Sequence, residues 1–360
     1  MSLAQPKRIL IIKLRHHGDV LLSTPVVDAL KTRFPDCEID MLVYAGTEQL
    51  IADNPQIAQI FTIDRNWKKL GVFKQLACEK NLFSKLKARD YDWAFNLSDQ
   101  WRSAIIAKLC ARCSVGLDCI KRDGFWWRFC HDFINHELDP SHHIVENQLN
   151  ILAPLIQPED VADAKVRLWV AQDARESMRQ KLREQGWNGE DYVLMHPGAR
   201  WHFKCWEDGK NAAIVQLLLN SGQNVVLTAS PDNVEQYMLQ EIIGRLNIPE
   251  GGKVWVLSGC LSLRELAAAI EGAKLFIGVD SAPMHIAAAL DKPQIALFGA
   301  SWVNKWRPYS EEAEVIYAGD YAELPHPDSI DTNDPTRLLK AIPLQDVWDK
   351  ILAKLEALEA

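Results

Sequence analysis

Long apolar runs and the common cofactor signatures are missing from this sequence. No uninterrupted apolar stretch approaches the ~20 residues that a membrane-spanning helix needs. Residues 1–8, MSLAQPKR, run into a predicted strand without the apolar core of a signal peptide, so we expect a cytoplasmic protein. There is no GxGxxG after the first strand and no GxxxxGKS or GxxxxGKT, so a dinucleotide cofactor or P-loop chemistry lacks its usual signature. GxSxG and HExxH are missing as well.

Cysteine and histidine patterns that hold metals are weak. The eight cysteines are scattered, and a cytoplasmic location disfavours disulfides. Cys110 and Cys113 form a CxxC, but helical spacing places them among apolar neighbours and no second CxxC follows, which favours buried thiols over zinc or redox chemistry. The four histidines between residues 131 and 143 match no common zinc spacing. Asp90 and Asp92 spell DxD, a manganese-binding pattern in some sugar transferases, but here the pair introduces a strand and indicates a turn.

Positive charge is not in excess, since 48 acidic residues outnumber 40 Lys and Arg and give a net charge of −8. The first half of the chain is nevertheless neutral and contains two basic clusters, which are either solvated helix faces or sites that attract an anionic partner or an acidic membrane surface. Trp101, Phe125, Trp126 and Trp127 beside the second cluster favour a contact surface, and nothing resembles a nucleic-acid motif. The first cluster is Arg65, Lys68, Lys69, Lys74, Lys80, Lys85, Lys87 and Arg89, and the second is Arg102, Lys108, Arg112, Lys121, Arg122 and Arg128.

Length and periodicity predict two α/β domains. A chain of 360 residues is too long for one ordinary core and fits two. Strands of the buried type alternate with helical stretches such as 20–34 and 142–155, which implies parallel sheets covered on both faces. The predicted strands are 8–14, 39–44, 57–63, 93–97, 192–196, 224–229, 254–257, 275–279 and 294–298.

These elements predict a first doubly wound domain at 1–165 and a second at 166–343, which begins with a linking strand at 166–170. The last helix, 344–360, could pack on either domain. The pattern within 112–138 is irregular, and we assign no element to it. In doubly wound sheets ligands collect outside the carboxyl ends of the strands, so the loops that follow the strands are the candidate sites.

One of these loops joins a buried strand to a helix of small residues, in KLFIGVDSAPMHIAAA (274–289). Asp280 and Ser281 are N-cap types, and Pro283 suits a first helical turn. Such a helix end presents unpaired N–H groups and a positive dipole, so it is a natural seat for a phosphate or diphosphate. His285 falls about one turn into the helix, where it is either within reach of that ligand or a core histidine.

Two further loops carry unusual residues. Gly18 permits a tight turn after the first strand, and Asp19 is either a plain N-cap or a general base that projects into an interdomain cleft. In the second domain, residues 196–206 leave a strand and precede a helix. Lys204 in that loop is either a cation that meets a diphosphate or a surface lysine.

With these residues in view, the chain resembles glycosyltransferase family 9, the ADP-heptose:lipopolysaccharide heptosyltransferases. RHHGD with LLSTP, together with FKCW, is most similar to the heptosyltransferase III group, which adds the side-branch heptose of the inner core. The resemblance implies a GT-B fold, in which two Rossmann-like domains face each other across a cleft. The matching segments are RHHGDVLLSTPVVDALKTRFP, YDWAFNLSDQW, HHIVENQLNIL, HPGARWHFKCW and FIGVDSAPMHIAAAL.

The resemblance also implies roles for individual residues. Asp19 would take the proton from the acceptor hydroxyl, and Lys204 would stabilise the departing ADP diphosphate together with the helix that begins near Ser281. Asp280 would contact the heptose hydroxyls. The remaining donor-binding positions are Ala282, His285 and, at the adenine pocket, Leu261. The acceptor-binding positions are Arg15, His17, Gly18, Lys121 and Arg122.

The implied activity is an inverting, metal-independent transfer of heptose from ADP-heptose to the inner core of lipopolysaccharide, with no cofactor. The expected partners are ADP-heptose, the inner-core acceptor and, peripherally, the cytoplasmic face of the inner membrane, but no nucleic acid. Charge reversals at Lys121 and Arg122 are expected to weaken acceptor use and leave ADP binding intact. The alternatives are another core position, a GT-B-like transferase or epimerase with another nucleotide-sugar, and a nucleotide-sugar binder without turnover.

The chain departs from the family pattern at two places. Some relatives carry a glutamate after the strand 225–229, where this chain reads SPDNVEQ, so either Asp232 or Glu235 could substitute for it. Ser281 and Ala282 stand where some members have a Thr-Gly pair, which alters the expected contacts to the phosphates.

Overall fold

The structure is a computed structural model that describes residues 5–118, 122, 124–136, 138, 141–157, 161, 163–332 and 334–359. The chain divides into two compact units, Met1–Trp169 and Val170–Ala360. This division falls a few residues after the predicted end of the first domain. Across the described ranges, no helix is long and apolar enough to cross a membrane.

The first unit is built on one parallel six-stranded sheet. The strands are β1 Arg8–Lys13, β2 Glu38–Tyr44, β3 Gln59–Ile63, β4 Tyr91–Asn96, β5 Ala111–Leu117 and β6 Phe133–Asn135, in the order β3-β2-β1-β4-β5-β6. The helices are α1 His17–Leu21, α2 Thr24–Arg33, α3 Val72–Ala88, α4 Trp101–Cys110, α5 Phe125–Phe129 and α6 Ile144–Leu149. Ile9 and Ile11 of β1 belong to one core cluster, and Leu10 and Ile12 belong to another. Since both faces of this strand are covered, it reads in sequence as a continuous apolar run.

The second unit repeats this plan. Its strands are β7 Val193–His196, β8 Val225–Ala229, β9 Val254–Ser258, β10 Leu275–Val279, β11 Gln294–Phe298 and β12 Ala313–Tyr317. Its helices are α7 Gln172–Arg183, α8 Asp208–Asn220, α9 Asn233–Ile243, α10 Leu263–Gly272, α11 Ala282–Ala289, α12 Val303–Trp306 and α13 Leu344–Glu359. Read as β9-β8-β7-β10-β11-β12, the sheet has the same strand order as the first, and this is the order of the Rossmann fold. The predicted pair of Rossmann-like domains is confirmed.

The last helix packs on the second unit. Val347, Ile351 and Leu355 recur at a spacing of four residues along α13 and belong to the core cluster that also contains β7 and β10. The sequence left this packing open.

The single helix predicted at 20–34 is wrong, because the structure has two helices, α1 and α2. Pro25 lies in the first turn of α2 and has no N–H to continue the α1 ladder. The hydroxyl of Ser23 donates to the Val20 carbonyl at 2.6 Å, and that of Thr24 donates to the Leu21 carbonyl at 2.9 Å. These hydroxyls satisfy carbonyls that the interrupted helix leaves unpaired.

The irregular segment 112–138 contains β5, α5 and β6, which the sequence did not predict. Cys113 lies on β5, so its predicted helical position is wrong, although Cys110 and Cys113 are both free and buried as expected. Burial raises the pKa of the Cys110 thiol to about 11, which leaves it protonated and unreactive near neutral pH. His131, from the histidine cluster, is buried against Gly116, where an added Cβ would lie 2.5 Å from its ring.

Three other expectations concern short or exposed segments. The linking strand predicted at 166–170 does not form, while β12 was not predicted. Asp90 of the DxD pair lies at a turn, as expected, with a positive φ of 50°, and Asp92 lies in β4. Arg112 bridges the two carboxylates at 2.6 Å and 3.1 Å, so both acids already have a structural partner.

Candidate active site

The loops that follow β7, β10 and β11 meet at the carboxyl edge of the second sheet. Lys204, from the loop after β7, places its Nζ 2.5 Å from Oδ2 of Asp280, the residue after β10. The hydroxyl of Ser301, after β11, donates to the same Oδ2 at 2.5 Å. The side chains of Lys204 and Asp280 are only 16% and 7% exposed, so water screens their attraction poorly.

The helix that begins beside this ion pair is α11. Ser281 precedes it, but its hydroxyl donates to the Val279 carbonyl at 3.2 Å and makes no cap hydrogen bond. Pro283 lies in the first turn, as expected, and His285 is buried within the helix. Backbone N–H groups and the dipole of α11 therefore lie next to the Lys204 ammonium, and together they favour a bound diphosphate.

A buried carboxylate lies where β7 and β8 end. Asp232 caps α9 by accepting from the N–H groups of Val234 and Glu235, whereas the Glu235 side chain turns inward to the carboxyl edge of the sheet. Its Oε2 accepts from the Ser230 N–H at 3.0 Å and lies 3.6 Å from Nε2 of His196. Burial alone raises the pKa of Glu235, but its contacts with His196 and Ser230 outweigh burial and hold the pKa below its ordinary value.

Glu235 also touches Gly198, where an added Cβ would lie 2.6 Å from Oε2. Of the two acids that could replace the glutamate of some relatives, Glu235 is the one that reaches the strand ends. Leu261, the predicted adenine-pocket residue, follows β9 at the same edge of the sheet and is partly buried. Gly259 before it has a φ of +64°, a conformation that favours glycine, and its N–H donates to the Ala229 carbonyl at 2.9 Å.

The first unit has a basic cavity of about 300 Å³ at the carboxyl ends of β1 to β4. Its lining residues are Leu14, Arg15, His16, Tyr44, Asp64, Arg65, Lys68, Gln100 and Arg102. Arg65 lies over the Tyr44 ring at 4.1 Å, and the Tyr44 hydroxyl donates to Gln100 Oε1 at 2.6 Å. Gln100 in turn donates to the Leu14 carbonyl at 2.9 Å, so side chains from three strand ends hold one another in place. Arg15 and Arg102 each pair with a carboxylate outside the lining, Asp99 and Glu79, so the excess positive charge of the cavity comes mainly from Arg65 and Lys68. This excess favours a bound anion.

Two of the predicted acceptor-binding residues meet at Asp99. Arg15 pairs with the Asp99 carboxylate at 2.9 Å, and Nε of Arg122 donates to the Asp99 backbone carbonyl at 3.1 Å. Lys121 lies outside the described residues. The effect expected from charge reversals at Lys121 and Arg122 therefore stays a prediction.

Asp19 lies in the first turn of α1 and is partly buried. His16 occupies the N-cap position, so the plain capping role considered for Asp19 does not apply. Gly18 lies inside α1 without a positive φ, and the predicted tight turn at this residue is therefore wrong. Burial, His16 and Arg65 lower the pKa of His17, which favours its neutral form near neutral pH.

No group of three or more His, Cys, Asp or Glu side chains that could hold a metal ion is found within the part of the chain that the structure describes. Asp19 and Lys204 belong to different units, so the two predicted catalytic residues come from separate sheets.

Residues 80–336 match the family model described as glycosyltransferase family 9 (heptosyltransferase). The chain belongs to glycosyltransferase family 9. Lipopolysaccharide heptosyltransferase 3 of Escherichia coli is 38% identical over 343 residues, which cover 94% of this chain and 97% of that protein. The predicted resemblance to the heptosyltransferase III group is confirmed.

Two solved structures share this fold. A family 9 glycosyltransferase from Veillonella parvula gives a TM-score of 0.83 at 21% identity and covers 99% of both chains. The E. coli ADP-heptose lps heptosyltransferase II gives a TM-score of 0.77 at 22% identity and covers 98% of this chain and 100% of that one. The GT-B fold predicted from the sequence is thus confirmed. The glycosyltransferase class is confirmed by the family match and the 38% identical relative.

Sequence reasoning missed several residues that this family 9 chain brings to the two sheet edges. Ser301 shares Asp280 with Lys204, while Tyr44 and Gln100 shape the basic cavity. Each of the three residues ends or follows a strand of a doubly wound sheet, and this position was the feature of the sequence that could have identified them as site residues. Their residue types are common in loops, so the position alone did not distinguish them.

Proposed function

We propose that this chain transfers a heptose from ADP-heptose to the inner core of lipopolysaccharide, at the side-branch position. The observation that carries this proposal is the ion pair of Lys204 and Asp280 at the start of α11, where a cation, a carboxylate and helix N–H groups converge. That set suits a nucleotide diphosphate joined to a sugar with free hydroxyls. The family and the 38% identity to a heptosyltransferase 3 support heptose as the sugar.

The proposed reaction is a single displacement. Asp19 accepts the proton of the acceptor hydroxyl while that oxygen bonds to the anomeric carbon. The bond between this carbon and the diphosphate oxygen breaks on the opposite side, so the configuration inverts and ADP leaves. Negative charge grows on the departing diphosphate, and we assign its stabilisation to Lys204 and the α11 N–H groups. This route assigns no step to a metal or cofactor.

The acceptor is assigned to the first unit. Its basic cavity offers Arg15, Arg65, Lys68 and Arg102 to an anionic oligosaccharide, and Arg122 lies nearby through Asp99. Charge-assisted hydrogen bonds from such groups are the strong ones in recognition of phosphates and carboxylates. We assign the chain to the cytoplasm, with peripheral contact to the cytoplasmic face of the inner membrane, where a lipid-anchored acceptor would be reached.

The test is an assay of ADP-heptose against a panel of truncated core acceptors, read by product mass. We expect one added heptose on acceptors that contain the side-branch position, and release of ADP only when such an acceptor is present. ADP release without acceptor would indicate hydrolysis, and a donor whose sugar changes configuration without net ADP release would indicate epimerisation. No change in either substrate would indicate a binding protein.

Asp19→Ala separates these cases further. Loss of transfer with retained ADP binding is expected for the proposed base, because the donor site lies in the other unit. The removal of a general base typically lowers the rate by about 10²–10⁴-fold. Transfer at the wild-type rate would exclude Asp19 as the base.

A further inference from the structure

The first unit exposes an unusual set of large apolar side chains. Within the described residues, all the large exposed apolar side chains of this unit fall between residues 70 and 133. They belong to the segment just before α3, to the start of α3, to α4, to α5 and to β6. These residues are Leu70, Val72, Phe73, Leu76, Trp101, Ile105, Leu109, Phe125, Trp126, Phe129 and Phe133.

The densest part of this set is α5, whose sequence is FWWRF. Phe125, Trp126 and Phe129 are 73%, 68% and 60% exposed, and their ring centroids lie 5.3–6.4 Å from one another. Trp127 turns the other way and is buried, so it fixes the helix to the unit. Because Trp127 fixes α5 to the unit, the three aromatic rings stay exposed to water. This exposure costs free energy unless another surface covers the rings.

Helix α4 extends this surface. Trp101, Ile105 and Leu109 follow one another at intervals of four residues and form an exposed stripe along the helix. The Trp101 ring lies 5.7 Å from the ring of Trp127, which connects the stripe to α5. We call Trp101, Ile105, Leu109, Phe125, Trp126 and Phe129 the aromatic face.

Cations accompany the aromatic face. Arg122 lies over the Trp101 ring at 5.8 Å, and Arg128 is exposed within α5. Lys108 of α4 pairs with Asp132 at 2.6 Å. Residues 124–130 contain no acid. Although the whole chain is acidic, this surface combines aromatic rings with arginine and lysine. That composition is typical of segments that lie in the headgroup region of an anionic bilayer.

We propose that the aromatic face docks on an anionic lipid bilayer, with Phe125, Trp126 and Phe129 inserted at the level of the headgroups. Arg128 then faces the lipid phosphates, whereas Lys108 keeps its ion pair with Asp132. The basic cavity lies next to this face, because Arg102 lines the cavity and the adjacent Trp101 belongs to the stripe. An acceptor anchored in the same bilayer is thereby presented to the cavity, and this last step alone depends on the proposed function.

The experiment is flotation of the full-length protein with vesicles, without donor or acceptor. One set contains phosphatidylethanolamine with phosphatidylglycerol, and the other contains only phosphatidylcholine. We expect the wild type to float with the anionic vesicles. Phe125→Ser with Trp126→Ser should weaken that binding by at least about tenfold, and Arg128→Gln by about fivefold. Ile248→Ser, which removes an exposed apolar side chain from the second unit, is the matched control and should bind like the wild type.

Folding and function are checked separately. Unchanged thermal unfolding of the variants excludes misfolding, since the replaced side chains are exposed. Transfer to a water-soluble acceptor should also be unchanged, whereas transfer to an acceptor embedded in vesicles should fall with the loss of binding. The proposal would be overturned if the wild type did not bind anionic vesicles, or if Phe125→Ser with Trp126→Ser bound them as tightly as the wild type.

A concentration-dependent dimer that the double variant abolishes would instead assign the aromatic face to self-association. If the wild type transfers no heptose but floats as described, the proposed function fails and the docking surface stands.

Discussion

Replacement of Lys204 by Gln tests both the stability and the chemistry of the donor site. The wild-type ion pair joins atoms 2.5 Å apart, and its two side chains are largely buried. At an effective dielectric constant of about 20, such a pair attracts by about 6 kcal/mol before the cost of desolvation. Lys204→Gln leaves a buried Asp280 carboxylate that still accepts a hydrogen bond from the Ser301 hydroxyl but has lost its cation, which costs about 3 kcal/mol of folding free energy.

For a unit of this length, that loss lowers the midpoint of thermal unfolding by roughly 6–12 °C. We also expect kcat for heptose transfer to fall by about 10²–10³-fold, because a charge aimed at the leaving diphosphate is lost. Calorimetry and a steady-state assay of ADP release measure the two effects on the same protein.

The double variant Lys204→Gln with Asp280→Asn separates the two roles. It removes both charges, so most of the lost stability should return, while transfer should stay low. Lys354→Gln is the matched control, since Lys354 pairs with Glu312 at 3.1 Å on the surface of the same unit and should contribute less than about 1 kcal/mol. Recovery of transfer in the double variant would refute the leaving-group role and leave Lys204 as a residue that only neutralises Asp280.

Two further outcomes are expected. Arg65→Gln should raise KM for an anionic acceptor about tenfold by removing a charge-assisted hydrogen bond, while the affinity for ADP stays unchanged. Arg33→Gln is the control, because Arg33 also lies over an aromatic ring, and it should change neither the acceptor KM nor the affinity for ADP. An unaltered acceptor KM in Arg65→Gln would contradict the assignment of the acceptor to the cavity. Burial alone raises the pKa of Glu265, but its hydrogen bonds with Lys181, Ser177 and Ser262 outweigh burial and lower the pKa to about 2. A lowered pKa stabilises the fold fully above about pH 4.5, and this stabilisation is lost as the pH falls toward 2. Glu265→Gln should therefore lower the free energy of unfolding by about 2 kcal/mol at pH 7. The difference in thermal midpoint between the variant and the wild type should narrow below about pH 4.5. A difference that is constant with pH would show that the carboxylate charge is not the cause.

The aromatic face shows which residues of a contact surface can be predicted from composition alone. The sequence singled out Trp101, Phe125, Trp126 and Trp127 as one contact surface. In the structure Trp127 is buried, whereas Phe129, which the sequence did not select, is exposed. Which of the five residues of α5 are buried depends on which face of the helix packs against the rest of the unit. The sequence of this segment is apolar on both faces, so it does not show which face that is.

The unpredicted strands have a similar explanation. Strands such as β1 and β10 are covered on both faces, so each is a run of apolar residues that is recognisable by itself. β6 and β12 lie at the edges of their sheets and are partly exposed, so their sequences mix polar and apolar residues. β5 lies inside its sheet, but Arg112, Ser114 and Gly116 interrupt its apolar run. Edge position is a property of the sheet and not of the segment.

The sequence by itself determined the two doubly wound domains, the strand-to-helix loop around Asp280 and the family, because these depend on local periodicity and on short motifs. Tertiary structure decided which of the loop residues meet. Lys204 and Asp280 are 76 positions apart and touch because β7 and β10 are neighbours in the sheet, and Tyr44 reaches Gln100 because β2 and β4 flank β1. The same strand ends bring Glu235, rather than Asp232, to the carboxyl edge of the second sheet. Strand order sets these contacts, and it results from the packing of the whole sheet.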